Sequence, residues 1–205
     1  MSTSRVGVGV VDVSEWQPDA DNPIFPIGSQ PKRLLLCPAR PNDARLIPGH
    51  QYLFKVPIEW KAQQVWSEVI ASRLGEHLGV SVPRCFIGKD AEGKVGALVE
   101  FFYGHPGQIS VPRFVHASDL LRTTIDNPKL GKSHHMDLCR IFAQAYPEAG
   151  IVMRQMLNFE TSRVVDVLRA CVETITNPPF TEARARFVAA LLKARTSRLQ
   201  EALGA

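Results

Sequence analysis

The chain has 205 residues, 45% of them hydrophobic, and a formal net charge of +4. That length makes one ordinary domain or two small lobes, and the apolar content is enough to fill a core. The mild positive charge is scattered rather than striped, so charge alone does not argue for nucleic acid, and no stretch approaches the ~18 apolar residues of a membrane span. Cys37, Cys85, Cys139 and Cys171 are widely spaced with no CxxC pair. This argues against a structural zinc site and predicts reduced, mostly buried thiols in a cytoplasmic protein. The N-terminal VGVGVVDV is too short and too glycine-broken for a secretory signal core.

Residues 6–13 suggest a first strand weakened by glycine, and the proline- and acid-rich residues 14–26 suggest a connector. In IGSQPKRLLLCP, Gly28-Ser29 is a turn and Leu34–Cys37 a short apolar strand. Backbone N–H groups and the Ser29 hydroxyl in that turn could face an anion, although a plain turn reads the same way and no GxGxxG is present. Pro41, Asn42, Pro48 and Gly49 mark the next turn.

The central stretch runs from Tyr52 to Glu68. Tyr52, Leu53, Phe54 and Val56 are strand formers with Lys55 among them. Trp66, Val69, Ile70, Leu74 and Leu78 recur at steps of three and four, which predicts a helix with one apolar face. Glu68 is expected in its first turn, where the helix dipole favours a carboxylate. A strand lysine followed by an early-helix glutamate is the arrangement protein kinases use: the lysine meets nucleotide phosphates and the glutamate holds it. The plain alternative is an edge lysine and an incidental helix glutamate.

A glycine stop after the helix leads to a strand over Val82–Ile87. The turn at Asp90–Gly93 and the strand GALVEFF (96–102) complete a hairpin. The expected fold class is α+β: an antiparallel sheet of about five strands between residues 6 and 102, with one helix packed on it, then an all-helical remainder.

IGSQPKRLLL, YLFKVP, SEVIASRLGEHLGVSVPRCFIG and GALVEFF resemble, in order and spacing, the small lobe of the HipA-like kinases, bacterial relatives of the phosphatidylinositol-kinase-like group. FVHASDLLRTTIDNP (114–128) is similar to that family's segment after the hinge, and the resemblance covers residues 24–146. It implies a kinase-like nucleotide lobe over 1–108 and a helical domain over 109–205 resembling a truncated second lobe. It also implies roles. Lys55 would meet the α- or β-phosphate of ATP and Glu68 would orient Lys55. Ser29 and Lys32 would serve as phosphate-loop contacts, and the backbone of Glu100, Phe101 and Phe102 would serve as the adenine hinge.

The family's catalytic loop, N-x-D-R-H-like with a later metal-binding aspartate, has no counterpart in residues 103–205. Asp126-Asn127 comes too soon and precedes a proline. His134-His135-Met136-Asp137 opens an apolar-periodic helix and lacks the following asparagine. Adjacent histidines on a helix point apart, so a zinc reading of the pair is poor. Helices are expected over residues 151–205, the last capped by Thr181, with Arg184, Arg186, Arg195 and Arg198 on its wet face.

Two readings of different class follow. One is a truncated HipA-like pseudokinase or nucleotide-binding regulator, holding ATP with magnesium only weakly anchored and without catalytic residues or a protein metal site. The other is a protein-interaction module that binds no nucleotide, such as a toxin–antitoxin or mobile-element regulator. A divergent active kinase using Asp126, His135 or Asp137 stands behind these. A protein partner is expected; a membrane or a direct nucleic-acid partner is not.

Overall fold

The computed structural model describes residues 8–19, 31–102, 104–105, 135–158 and 161–204. Six strands form one sheet: β1 (Val10–Asp12), β2 (Gln17–Pro18), β3 (Lys32–Leu36), β4 (Gln51–Lys55), β5 (Cys85–Lys89) and β6 (Val95–Glu100). Their spatial order is β1-β5-β6-β4-β3-β2. Every pair is antiparallel except β1 with β5, where Val10–Asp12 runs parallel to Ile87–Lys89. The expectation of a purely antiparallel sheet is therefore corrected at one edge. After β6 the described regular elements are all helical: α2 (His135–Ala145), α3 (Pro147–Met156), α4 (Thr161–Val172) and α5 (Glu182–Leu203). α1 (Gln64–His77) lies between β4 and β5 in the chain. The fold class is α+β, and no described helix is long and apolar enough to cross a membrane.

Two compact units divide the chain: Met1–Pro112 with Arg163–Ala185, and Arg113–Ser162 with Arg186–Ala205. The boundary expected at 108/109 lies outside the described residues. Arg163–Ala185 belongs with the sheet. The link is visible at α1, where the Trp66 indole N–H donates to the Pro178 carbonyl at 3.2 Å and the Trp66 ring packs on Phe180 at 5.2 Å.

Strand alternation sorts the sheet into two faces. Tyr52 and Phe54 of β4 point to one side, into a cluster with Val11, Val13, Trp16, Leu35, Cys37, Leu46, Phe86 and Leu98. Trp16 meets Tyr52 edge-on at 5.6 Å, and the Tyr52 hydroxyl accepts from the Ile47 N–H at 3.0 Å. The register places Leu53 and Lys55 on the opposite side with Leu34, Val99 and Ala97. α1 covers the β5–β6 part of that second face with buried Val65, Trp66, Val69 and Ile70. Ser72 stitches it down: its hydroxyl donates to the Pro83 carbonyl and accepts from the Cys85 N–H, both at 3.0 Å.

The end of α1 follows from its glycine. Gly79 adopts φ 68°. Its N–H donates to Glu76, and the Val80 N–H donates back to Gly75 at 3.0 Å, the paired closure that a left-handed residue permits. At the start, the helix opens at Gln64 after a 3-10 turn over Glu59–Lys61, and its first turn holds no acidic residue. Glu68 sits one turn further in than its sequence suggested, so the helix dipole is not what holds it.

In the other unit, α2 and α3 pack closely where Gly150 meets Ala143. Arg154 donates to the Leu203 carbonyl at the end of α5, at 3.2 Å. In the sheet unit, the expected Thr181 cap is present, its hydroxyl accepting from the Arg184 N–H at 3.3 Å. Cys37, Cys85 and Cys171 are buried free thiols and Cys139 is partly exposed. Burial pushes the Cys37 thiol up to about 11 and the Cys171 thiol to about 12.

Gly96 is where the strands admit no side chain. A Cβ there would stand 2.6 Å from the Lys55 carbonyl oxygen and 2.8 Å from the Phe54 ring. Gly96→Ala is expected to lower the unfolding free energy by about 1–3 kcal/mol, read as a fall in the urea midpoint. An unchanged midpoint would contradict this packing.

Candidate functional site

The site begins with two lysines. Lys32 on β3 and Lys55 on β4 are directly opposite in the antiparallel register, so their side chains share a face. Like charges at such a pair are unfavourable. Burial and the neighbouring Lys55 ammonium both hold Lys32 below the ordinary lysine range.

Glu68 balances one of the two charges. The Lys55 Nζ donates to Glu68 Oε1 at 2.8 Å. The lysine is 25% and the glutamate 35% exposed, so solvent screens the pair and its net contribution to stability is small. What the contact does is fix the ammonium. β4 presents Lys55 beside α1, and the docking of Val65, Trp66, Val69 and Ile70 sets where Glu68 meets it. The expected lysine–glutamate contact is therefore formed, although through helix packing rather than through a helix N-terminus.

Beside the lysines the same face turns apolar. Leu34, Leu53 and Phe101 form a buried cluster, with partly buried Val99 against it. Leu34 and Leu53 lie two residues along their strands from Lys32 and Lys55, so cations and apolar floor sit in adjacent rows. Simple alternation could have revealed this floor from the sequence.

Glu100, Phe101 and Phe102 occupy the end of β6 and its extension. The Glu100 N–H donates to the Arg84 carbonyl at 2.8 Å and the Phe101 N–H to the Gln51 carbonyl at 3.0 Å. The Phe101 carbonyl accepts from His50 Nε2 at 2.7 Å. These backbone groups are thus engaged within the protein. Phe102 is 57% exposed, its ring 5.3 Å from that of Phe101. The Glu100 side chain shares the face of Tyr52, opposite Lys55, and pairs with Arg84 at 2.7 Å. Ser29 and the Gly28 turn lie outside the described residues, as do Asp126, His134 and the 114–128 segment. His135 opens α2 and Asp137 pairs with Arg140 at 2.8 Å.

His50, His105 and Arg84 carry no motif that sequence reasoning could have found. Long-range pairing brings His50 and Arg84 to Glu100, whereas His105 follows Glu100 closely in a stretch that no motif marks.

Comparison with known proteins is sparse. No family model matches the chain, and no curated protein matches it. A solved structure it resembles is the crystal structure of the Helicobacter pylori proinflammatory kinase CtkA, at 17% identity and a TM-score of 0.36. The likeness covers 46% of this chain and spans only 28% of that one. It is too slight to assign a family or an activity.

A double-mutant cycle on Lys55→Ala and Glu68→Ala, followed by urea unfolding without ligand, is expected to give a coupling of about 0.2–1 kcal/mol. A coupling of several kcal/mol would make the pair a structural brace instead of a positioning contact.

Proposed function

We propose that the sheet unit is a nucleotide-binding module of kinase type. It would belong with the HipA-like kinases as a pseudokinase or nucleotide-binding regulator in the cytoplasm. The observation that carries this reading is the Lys55–Glu68 pair at 2.8 Å with Lys32 opposite Lys55 on the same face. Glu68 pairs with Lys55, and the Lys32 ammonium beside them adds a positive charge that phosphate oxygens would neutralise.

In this reading Lys55 holds an α- or β-phosphate, Glu68 keeps Lys55 in place, and Lys32 and Ser29 add phosphate contacts. The floor of Leu34, Leu53 and Val99 takes the flat face of the base. The end of β6, from Glu100 to Phe102, lies against the base edge. The Phe101 N–H and carbonyl already have partners within the protein. ATP bound there would supply a phosphoryl group. The D-x-x-x-x-N pattern that orients an acceptor and anchors magnesium is missing from residues 103–205, so magnesium is weakly held and efficient transfer is not expected.

One observation favours the interaction-module reading. Ile141, Phe142 and Tyr146 of α2 and its end, with Ile151 and Val152 of α3, are exposed apolar side chains. Such a surface suits a protein partner, for instance within a toxin–antitoxin or mobile-element system.

Calorimetric titration with ATP, with and without magnesium, separates these readings. Binding is expected in the native protein and about tenfold or more weaker in Lys55→Ala, the loss of one hydrogen bond to a charged group. Incubation with labelled ATP is expected to leave no label on the protein or on candidate partners. Robust transfer that vanishes in Lys55→Ala would point to an active kinase, with His135 and Asp137 the next residues to substitute. No binding in either protein would leave the interaction module.

A further inference from the structure

On the sheet face opposite Lys55, three side chains converge at the junction of β4 and β6. His50 immediately precedes β4, Glu100 ends β6, and His105 follows a few residues later. One ligand-capable atom from each lies within 4.8 Å of the other two.

His50 is 1% exposed. Its Nε2 lies 2.7 Å from the Phe101 carbonyl oxygen. A carbonyl only accepts, so Nε2 carries the proton and Nδ1 keeps its lone pair. That Nδ1 is buried and has no hydrogen-bond partner; the Gly104 carbonyl faces the ring without meeting hydrogen-bond geometry at Nδ1. Buried acceptors are nearly always paired, so an orphan here calls for an explanation. An imidazole whose other ring N–H is anchored on a backbone carbonyl is how proteins orient a metal-ligating histidine.

The other two groups complement it. Glu100 is 8% exposed. Its Oε2 accepts from Arg84 at 2.7 Å, while Oε1 faces His105 Nε2 at 3.9 Å. Arg84 thereby fixes the carboxylate from behind. The His105 ring stacks on His50 with centroids 4.2 Å apart and planes 10° from parallel. We propose that His50, Glu100 and His105 form a site for one divalent transition-metal ion of the zinc class. Two imidazoles and one carboxylate are a donor set zinc accepts, leaving a fourth position for water or another ligand.

Ligand atoms around a tetrahedral zinc stand about 3.3 Å apart, as metal–ligand distances of about 2.0–2.1 Å require. The three groups must therefore close slightly, and the parallel rings must fan apart for their lone pairs to meet. His50 is locked by its burial and its bond to Phe101. The adjustment falls to His105, whose side chain is 40% exposed and which follows Gly104 at φ 70°. Bound metal would clamp the end of β6 to the start of β4. The proposal does not rest on the nucleotide reading: its side chains lie on the sheet face opposite Lys55, although they meet the same end of β6.

The test is titration of the chelator-stripped protein with Zn²⁺ by calorimetry and with Co²⁺ by visible absorption. One equivalent is expected to bind, and the cobalt spectrum should show d–d bands without a thiolate charge-transfer band. His105→Ala, checked by circular dichroism to be folded, should weaken binding by about tenfold or more, as should Glu100→Gln. Absence of binding, binding unchanged in folded His105→Ala, or a thiolate band would each overturn the proposal. The last would assign the metal to cysteine.

Discussion

Two ammonium groups opposite one another on neighbouring strands set the terms for this site. The antiparallel register of β3 and β4 leaves Lys32 and Lys55 no choice but to share a face. Among the described residues Glu68 is the carboxylate paired with one of them, and it reaches Lys55 because α1 is packed where it is. The helix is held by its apolar residues, by Ser72 against Pro83 and Cys85, and by Trp66 against Pro178 and Phe180. Packing thus comes first, and the electrostatic arrangement is its consequence. A residue pair unfavourable to folding is the kind of local conflict that functional sites retain.

The sheet separates two kinds of chemistry. On the α1 side, cations border the apolar floor of Leu34, Leu53 and Phe101. On the other, behind the aromatic cluster of Tyr52 and Phe54, Glu100 meets Arg84, with His50 and His105 beside it. The end of β6 joins the two, since Glu100 turns its side chain to one face while Phe101 packs on the other. A ligand on either face therefore bears on the same few backbone groups.

Much of the central architecture was legible because period-two alternation in Tyr52–Lys55 and the three-four spacing from Trp66 onward are strong local signals. The hairpin of β5 and β6 was marked by Asp90 and Gly93, and the structure adds that the Asp90 carboxylate accepts from the Glu92 and Lys94 N–H groups. What stayed hidden depends on distant partners. β1 is only three residues long and pairs in parallel with β5, far along the chain. Glu68 reads as a first-turn residue because nothing local announces that α1 opens at Gln64 without a side-chain cap. The return of Arg163–Ala185 to the sheet, and the meeting of His50 with Phe101, likewise carry no short-range signature.

If Lys32 is kept for an anion and not for the fold, its removal should separate stability from binding. The direct measurement is the unfolding free energy of the native protein and of Lys32→Gln, each with and without ATP. The account predicts that Lys32→Gln is as stable as the native protein or more so without ATP, and gains less stability when ATP is added. A variant that is less stable alone, yet stabilised by ATP as fully as the native protein, would contradict it.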